Sequence, residues 1–297
     1  MPYYTQYNNN AFITNPGVTG TKRLLDARMN YRMQWVGYDG APRTTSIGLH
    51  SRFFKEKMGA GLYYMQDKVG PAKQSNIGIS YAYHLRFPDA ELSLGIAGNF
   101  TNYTLIGSDI TLHNTQDPSI DQFVTNSTWV ADATAGFYLY NDRFHVGASA
   151  LHVVQSTAEF YKADTTKKGL VQYTTQSNFT IGYNFSENKD FVFENTLLGS
   201  YAKGSPMNLD YTLRVFIKEV VFGGISIRLH DAIALHVGYT FFDNYQVSYS
   251  YDIVIGKLRT YSSGSHEFMI AVSHNIFKKQ KSSIKNRFLH QKYAYMF

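Results

Sequence analysis

The ten histidines of this 297-residue chain are its most obvious candidates for chemistry, and their spacing builds no reaction centre. Nucleophilic hydrolysis needs a hydroxyl, a base within hydrogen-bond reach and a third group that orients the base. His145 lies near Ser149, and His274 adjoins Ser273, both at strand spacing and neither with an evident orienting carboxylate. His50, His84, His113, His152, His230, His236, His266 and His290 are scattered. Metal chemistry fares no better: there is no HExxH, no cysteine and no acidic loop of EF-hand spacing. Asp109, Asp117 and Asp121 come nearest to a cation set, and solvated loop carboxylates are their commoner role. Gly59-Ala60-Gly61 and Gly223-Gly224 fall inside strand patterns, whereas a phosphate cradle lies between strand and helix. They read instead as relief of crowding or as bends. The expectation is a protein without catalytic, cofactor-binding or metal residues, and not an enzyme.

Charge is concentrated in one place. Lys278, Lys279, Lys281, Lys285, Arg287 and Lys292 supply a surplus equal to the net charge of +6, leaving the rest of the chain neutral. Phe288, Tyr293, Tyr295 and Phe297 interleave with them, a mixture that suits stacking on nucleic-acid bases. The membrane placement argued next puts this tail in the periplasm, away from nucleic acid. Contact with a periplasmic partner, rest on anionic headgroups or simple solvation are the readings that remain.

The elements that would position any site are strands. Aromatic residues reach 16% while charged residues are only 17%, below the roughly 25% of an average soluble protein. Leu25, Ala27, Met29, Tyr31 and Met33 alternate with Asp26, Arg28, Asn30 and Arg32, and the same two-residue period recurs along the chain. No stretch approaches the about 18–20 apolar residues of a spanning helix, and the other structure that satisfies its backbone in hydrocarbon is a closed barrel. The pattern predicts an all-β transmembrane antiparallel barrel of about fourteen strands. They are expected near 24–35, 43–53, 58–66, 74–87, 91–105, 128–140, 143–154, 173–185, 191–201, 208–218, 221–229, 233–242, 246–256 and 265–277. Connections at one end are all short, and the two longest, 106–127 and 155–172, share the other end. That asymmetry assigns short turns to the periplasm and long loops to the exterior. Only 106–127 and the tail leave room for a short helix. Residues 1–23 are expected in the periplasm or the lumen, 24–277 in the barrel and 278–297 in a basic periplasmic tail. Met1-Pro2-Tyr3-Tyr4 has neither basic start nor apolar core, so a targeting segment is expected to be missing.

The N-terminal third also carries a specific run: Gln6-Tyr7, Asn15-Pro16, Gly20, Arg32, Gln34-Trp35-Val36-Gly37, Gly40-Ala41-Pro42 and Thr44. With Asp67-Lys68-Val69-Gly70-Pro71 and Ser263-Gly264-Ser265-His266-Glu267, it resembles the PorP/SprF family of Bacteroidetes outer-membrane proteins. Two features depart from it: Gly17-Val18 stands where an Ala and an aromatic are more usual, and the basic tail matches no family pattern. The resemblance implies a multi-pass outer-membrane protein of the type IX secretion and gliding machinery. Its partner would be a secreted, adhesin-type cargo with a C-terminal sorting domain, with other secretion components as further partners.

From the residues themselves, Trp35 falls where an aromatic girdle belongs, Gly37, Gly40 and Pro42 supply turn geometry, and Arg32 and Gln34 point inward. Tethering a loop or the N-terminal segment is the plainer role for these positions. Ile110, Leu112, Ile120, Phe123 and Val124 make 106–127 apolar for an idle loop and mark it as a cargo contact. The alternatives are a plugged or gated transporter for a small solute, and a soluble β-sandwich. Lumen charges of both signs (Asp26, Arg28, Arg32, Arg86, Glu194, Arg214) suit ion-paired closure more than a conduit. Strand length and ring content speak against a sandwich.

Overall fold

Alternation of apolar and polar side chains becomes, in a computed structural model of the chain, alternation between the two faces of a wall. Residues 3–22, 24–53, 56–110, 125–160, 169–188 and 190–274 are described. The strands are β1 (Leu25–Met33), β2 (Arg43–Phe53), β3 (Met58–Val69), β4 (Ala72–Arg86), β5 (Glu91–Ile106), β6 (Thr125–Tyr140) and β7 (Phe144–Leu151). There follow β8 (Thr157–Phe160), β9 (Gly169–Gln172), β10 (Gln176–Asn188), β11 (Phe191–Ala202), β12 (Asn208–Ile217), β13 (Val221–Arg228), β14 (Ala232–Phe241), β15 (Tyr245–Val254) and β16 (Ser265–His274). All but β8 and β9 form one closed antiparallel barrel of 14 strands. Its seam joins the first and last, from Leu25 opposite His274 to Met33 opposite His266. Closure removes every free edge, as hydrocarbon requires.

The two faces are chemically opposite. Outward-facing Leu62, Ile79, Ile96 and Ile270 are exposed, Ile96 at 64%, while inward-facing Asp26, Arg32, Arg52, Glu194, Arg214 and Glu267 are buried. A soluble core would reverse this. Arg86 is a correction to the inward set: it is 54% exposed and sits at the rim, paired with Glu56 at 3.0 Å and Glu91 at 2.9 Å.

Connections sort by end. Among the described residues, 87–90, 141–143, 218–220 and 242–244 are tight turns at one end. Lys218-Glu219 and Phe242-Asp243 hold positive φ at both positions, the turn whose twist matches a hairpin. The other end carries 34–42, 70–71, 203–207, 229–231, 255–264 and the strands β8 and β9, and is therefore the outer end. There β3–β6 outrun the bilayer. On β5 the apolar outward series stops at Phe100; above it Asn102 donates to Ser127 of β6 at 3.0 Å, both on the surface. These strands stand as a wall over one side of the mouth. Against it packs a two-stranded hairpin, β8–β9, with buried Val130 and Ala158 and half-buried Tyr103, Val171 and Tyr173. That hairpin lies within a stretch expected to be loop. Short helical turns appear at Ala11–Thr14 (α1) and, as 3-10 turns, at Pro16–Val18, Gly107–Asp109 and Lys257–Thr260. Only the third falls where helix was expected, because pieces this short carry no helical period.

Candidate functional site

The lumen is occupied by the chain's own start. Residues 3–22 enter at the short-turn end, just before β1, and run the length of the barrel to the outer mouth. Nearly all of them are buried.

The outer half of the segment is held by ionised groups. Thr5 N–H donates to Glu267 Oε2 at 2.7 Å and Gln6 N–H to Glu267 Oε1 at 3.3 Å. Thr5 Oγ1 donates to Asp252 at 2.8 Å and accepts from Arg32 Nη1 at 2.5 Å and Arg228 Nη2 at 3.3 Å. Arg32 in turn pairs with Asp252 at 2.7 Å and Glu267 at 3.3 Å, and all three are at most 1% exposed. Arg32 and Glu267 face each other across the β1–β16 seam, so one clamp joins segment and seam. Asn30, also on β1, donates to Glu267 Oε1 at 3.0 Å. The Arg228 guanidinium lies 4.3 Å from the Tyr3 ring and pairs with Asp210 at 3.2 Å and Asp231 at 3.1 Å. Charges this deep are tolerable only when paired and hydrogen-bonded, and here each carboxylate has a guanidinium partner.

The inner half is held by close approach. Phe12 stands edge-on to Tyr63 at 5.7 Å over Gly48 and Gly61. A Cβ at Gly61 would lie 2.6 Å from the Phe12 ring, one at Gly95 2.2 Å from Pro16 backbone, and one at Gly59 2.3 Å from Thr19 O. Backbone polar groups are matched: Asn15 Nδ2 donates to Phe137 O at 3.0 Å, Ser149 Oγ to Thr14 O at 2.7 Å, and Gly20 N–H to His50 Nδ1 at 3.1 Å. Arg52 Nε donates to Gly20 O at 2.6 Å. Gly17, the departure from the family run, has a cause: a Cβ there would meet the Phe137 backbone at 2.7 Å.

What the segment leaves open, the wall fills. Arg214 pairs with Glu194 at 2.5 Å, donates to Asn9, and lies 5.3 Å from both Phe216 and Phe222, which with Val192 form an apolar cluster. Arg52 pairs with Glu91 at 2.8 Å and donates to Tyr140.

The residues singled out in sequence separate into groups. Asn15, Pro16, Arg32, Thr44 and Glu267 are buried on the lumen side; Thr44 Oγ1 donates to Asp67 at 2.6 Å. Gln34 is half-buried just past β1, and its N–H bonds Pro42 O at 3.0 Å. Trp35 sits in the connection, at φ 49°, its N–H on Ser265 Oγ at 3.1 Å. Val36 pairs with Ser263 and Gly264, and Gly40 O accepts from Gly70 N, so this loop is tied to two neighbours. Gly37 and Gly40 hold φ 97° and 70°, and Ala41 N–H closes the turn on Tyr38 O. His266 is on the opposite face from Glu267, its ring nitrogen 2.7 Å from Tyr249 OH. Ile110 follows the turn Gly107–Asp109, whereas Leu112, Ile120, Phe123 and Val124 lie outside the described residues. So do Lys278, Lys279, Lys281, Lys285, Arg287 and Lys292. Asp109 pairs with Lys68 at 3.0 Å on the surface. Thr5, Asn30, Arg228, Asp252 and Tyr3 complete the clamp and were not singled out. Among the described residues no three His, Asp or Glu side chains converge as metal ligands.

Residues 1–272 match the family described as "Type IX secretion system membrane protein PorP/SprF". No curated protein matches the chain in sequence. Among solved structures, a Pseudomonas aeruginosa FadL homologue is similar with a TM-score of 0.53 at 10% identity, over 91% of this chain and 94% of that one. The CymD monoaromatic hydrocarbon channel is similar with a TM-score of 0.52 at 11% identity, over 89% and 91%. At such identity the likeness is one of fold.

Proposed function

Because the chain belongs to the PorP/SprF family of type IX secretion system membrane proteins and is an outer-membrane barrel, we propose that it binds and anchors a secreted protein at the cell surface. The cargo is of adhesin type, as gliding cells display, and is held through its C-terminal sorting domain. The barrel performs no chemistry of its own in this reading. The observation that carries it is the filled lumen. With the interior occupied by residues 3–22 and paired charges, the faces left for work are the outer mouth and the periplasmic rim. On the outer side, the β8–β9 hairpin and its approach expose Val153, Val154 and Leu170, more apolar surface than an idle loop carries. In sequence, Ile110, Leu112, Ile120, Phe123 and Val124 are further candidate cargo contacts. The basic positions 278–292 are the candidate contact for a periplasmic component.

The test is purification from the native envelope in mild detergent, followed by mass spectrometry. A secreted protein bearing a sorting domain should co-purify, and removal of residues 157–172 should release it while the barrel stays folded. Recovery of the barrel alone sinks the reading. The same filled lumen weighs against a transporter of small solutes, and uptake or a steady open pore in the full chain would restore that alternative.

A further inference from the structure

Fourteen strands enclose more room than their own side chains take up: eight-stranded barrels are filled by side chains, and barrels of about sixteen leave an aqueous channel. The inward positions are of mixed size all round: on β12–β15 Arg214, Phe222 and Arg228 stand beside Ser226, Ala234 and Ser250, and on β2–β7 Arg52, Tyr63 and Tyr138 stand beside small positions, among them Gly48, Gly59, Gly61, Gly95 and Gly147. Those small positions are where the inner half of the segment fits, and several cannot accept a methyl group while it is there. The segment is joined covalently to the barrel only through its link to β1, since the chain has no cysteine for a disulfide. Everything else that retains it is hydrogen bonds, ion pairs and packing.

We infer that residues 3–22 are a stopper: seated, they make the barrel ion-tight, and their withdrawal opens an aqueous pore along β2–β7. The opened lumen would carry Arg28, Arg32, Arg52, Arg214 and Arg228 against Asp26, Asp132, Asp210, Asp252, Glu194 and Glu267. Signs so nearly balanced leave the pore with little preference between cations and anions. The inference stands whether or not a cargo is bound outside, and its failure would leave the anchoring reading untouched.

Planar-bilayer recordings test it. The full chain should be silent. Deletion of residues 1–20, with folding verified by heat-modifiable migration, should give a steady current whose reversal potential stays near zero in a salt gradient. Deletion of residues 1–10 removes the clamp contacts of Thr5 and Gln6 and should give a smaller or flickering current. A second variant does not depend on a shortened chain folding. Asn10 Nδ2 donates to Asn30 Oδ1 at 2.8 Å, so in Asn10→Cys with Asn30→Cys a short bis-methanethiosulfonate reagent can tie the segment to β1 in an oxidised form that reductant releases. Moderate urea should make the reduced form conduct and leave the oxidised form silent. A folded deletion as quiet as the full chain overturns the inference, as does the same behaviour in the oxidised and reduced forms. Steady current through the full chain overturns it too.

Discussion

Arg32 joins the N-terminal segment, β1, β15 and β16 through three partners, and its Nε has none. Removing one member of a buried pair leaves the others charged and unsolvated, which costs about 3–5 kcal/mol. Arg32→Ala should therefore lower the urea midpoint of the heat-modifiable form by an amount of that order. Arg86, with a comparable number of ion pairs but half-exposed at the rim, is the control: Arg86→Ala should cost no more than about 1 kcal/mol. Equal effects would mean the clamp contributes nothing special. The glycines allow a second matched pair on one strand. Gly95 has Pro16 backbone where its Cβ would be, while Gly98 faces outward with nothing within 4 Å. Gly95→Ala should destabilise by about 1–3 kcal/mol as an overpacking change, and Gly98→Ala should stay within about 0.5 kcal/mol. Thermal unfolding in detergent distinguishes them.

Among the elements, the approach to the outer hairpin gathers three backbone N–H groups on one carboxylate. Asp132 of β6 accepts from Ala133 N–H at 2.6 Å, Val154 N–H at 3.1 Å and Ser156 N–H at 3.4 Å, and His152 stacks on Tyr173 at 4.4 Å beside it. Asp132→Ala should speed proteolysis within 152–175 and leave barrel melting nearly unchanged. Burial pushes the His152 imidazole below its ordinary value of 6.5, with Asp132 opposing. A site that holds the neutral ring takes up its proton less readily than the loosened connection does. Acidification through and below about pH 6.5 therefore weakens the docked connection. Protease sensitivity should rise from pH 7 to pH 5, and His152→Gln should flatten that rise.

The same elements show what sequence can and cannot reveal. All fourteen barrel strands are legible because alternation between lipid and lumen is strict. The outer parts of β3, β4 and β6 are less so: Gln66, Lys68, Lys73, Ser75, Thr125 and Ser127 face water, where apolar contrast vanishes. The segment over 3–22 has no period, since it is shaped by the cavity and not by its own repeat, so periplasm and lumen remain equally open to it in sequence. Arg32 and Glu267 stand out as inward charges within a motif. Thr5 and Asp252 do not, because their meeting depends on how the strands are staggered around the closure, which no local pattern records.

For the whole molecule, everything placed outside depends on which mouth faces the exterior, and loop length is the argument for it. Tyr3 and the clamp lie at that mouth, as does the β8–β9 hairpin, so an inverted insertion would move all three to the periplasm. The absence of cysteine makes the question direct, because a single introduced thiol reports without background. Ser205, exposed in the turn 203–207, and Asp89, exposed in the turn 87–90, mark opposite ends, and Ser80 is buried against Thr19. A membrane-impermeant maleimide added to intact cells should label Ser205→Cys at once and Asp89→Cys only after the outer membrane is breached. Ser80→Cys should resist it from either side for as long as the segment is seated. Labelling of Asp89→Cys first would turn the barrel over, and the outer hairpin could then no longer meet a protein displayed on the cell surface.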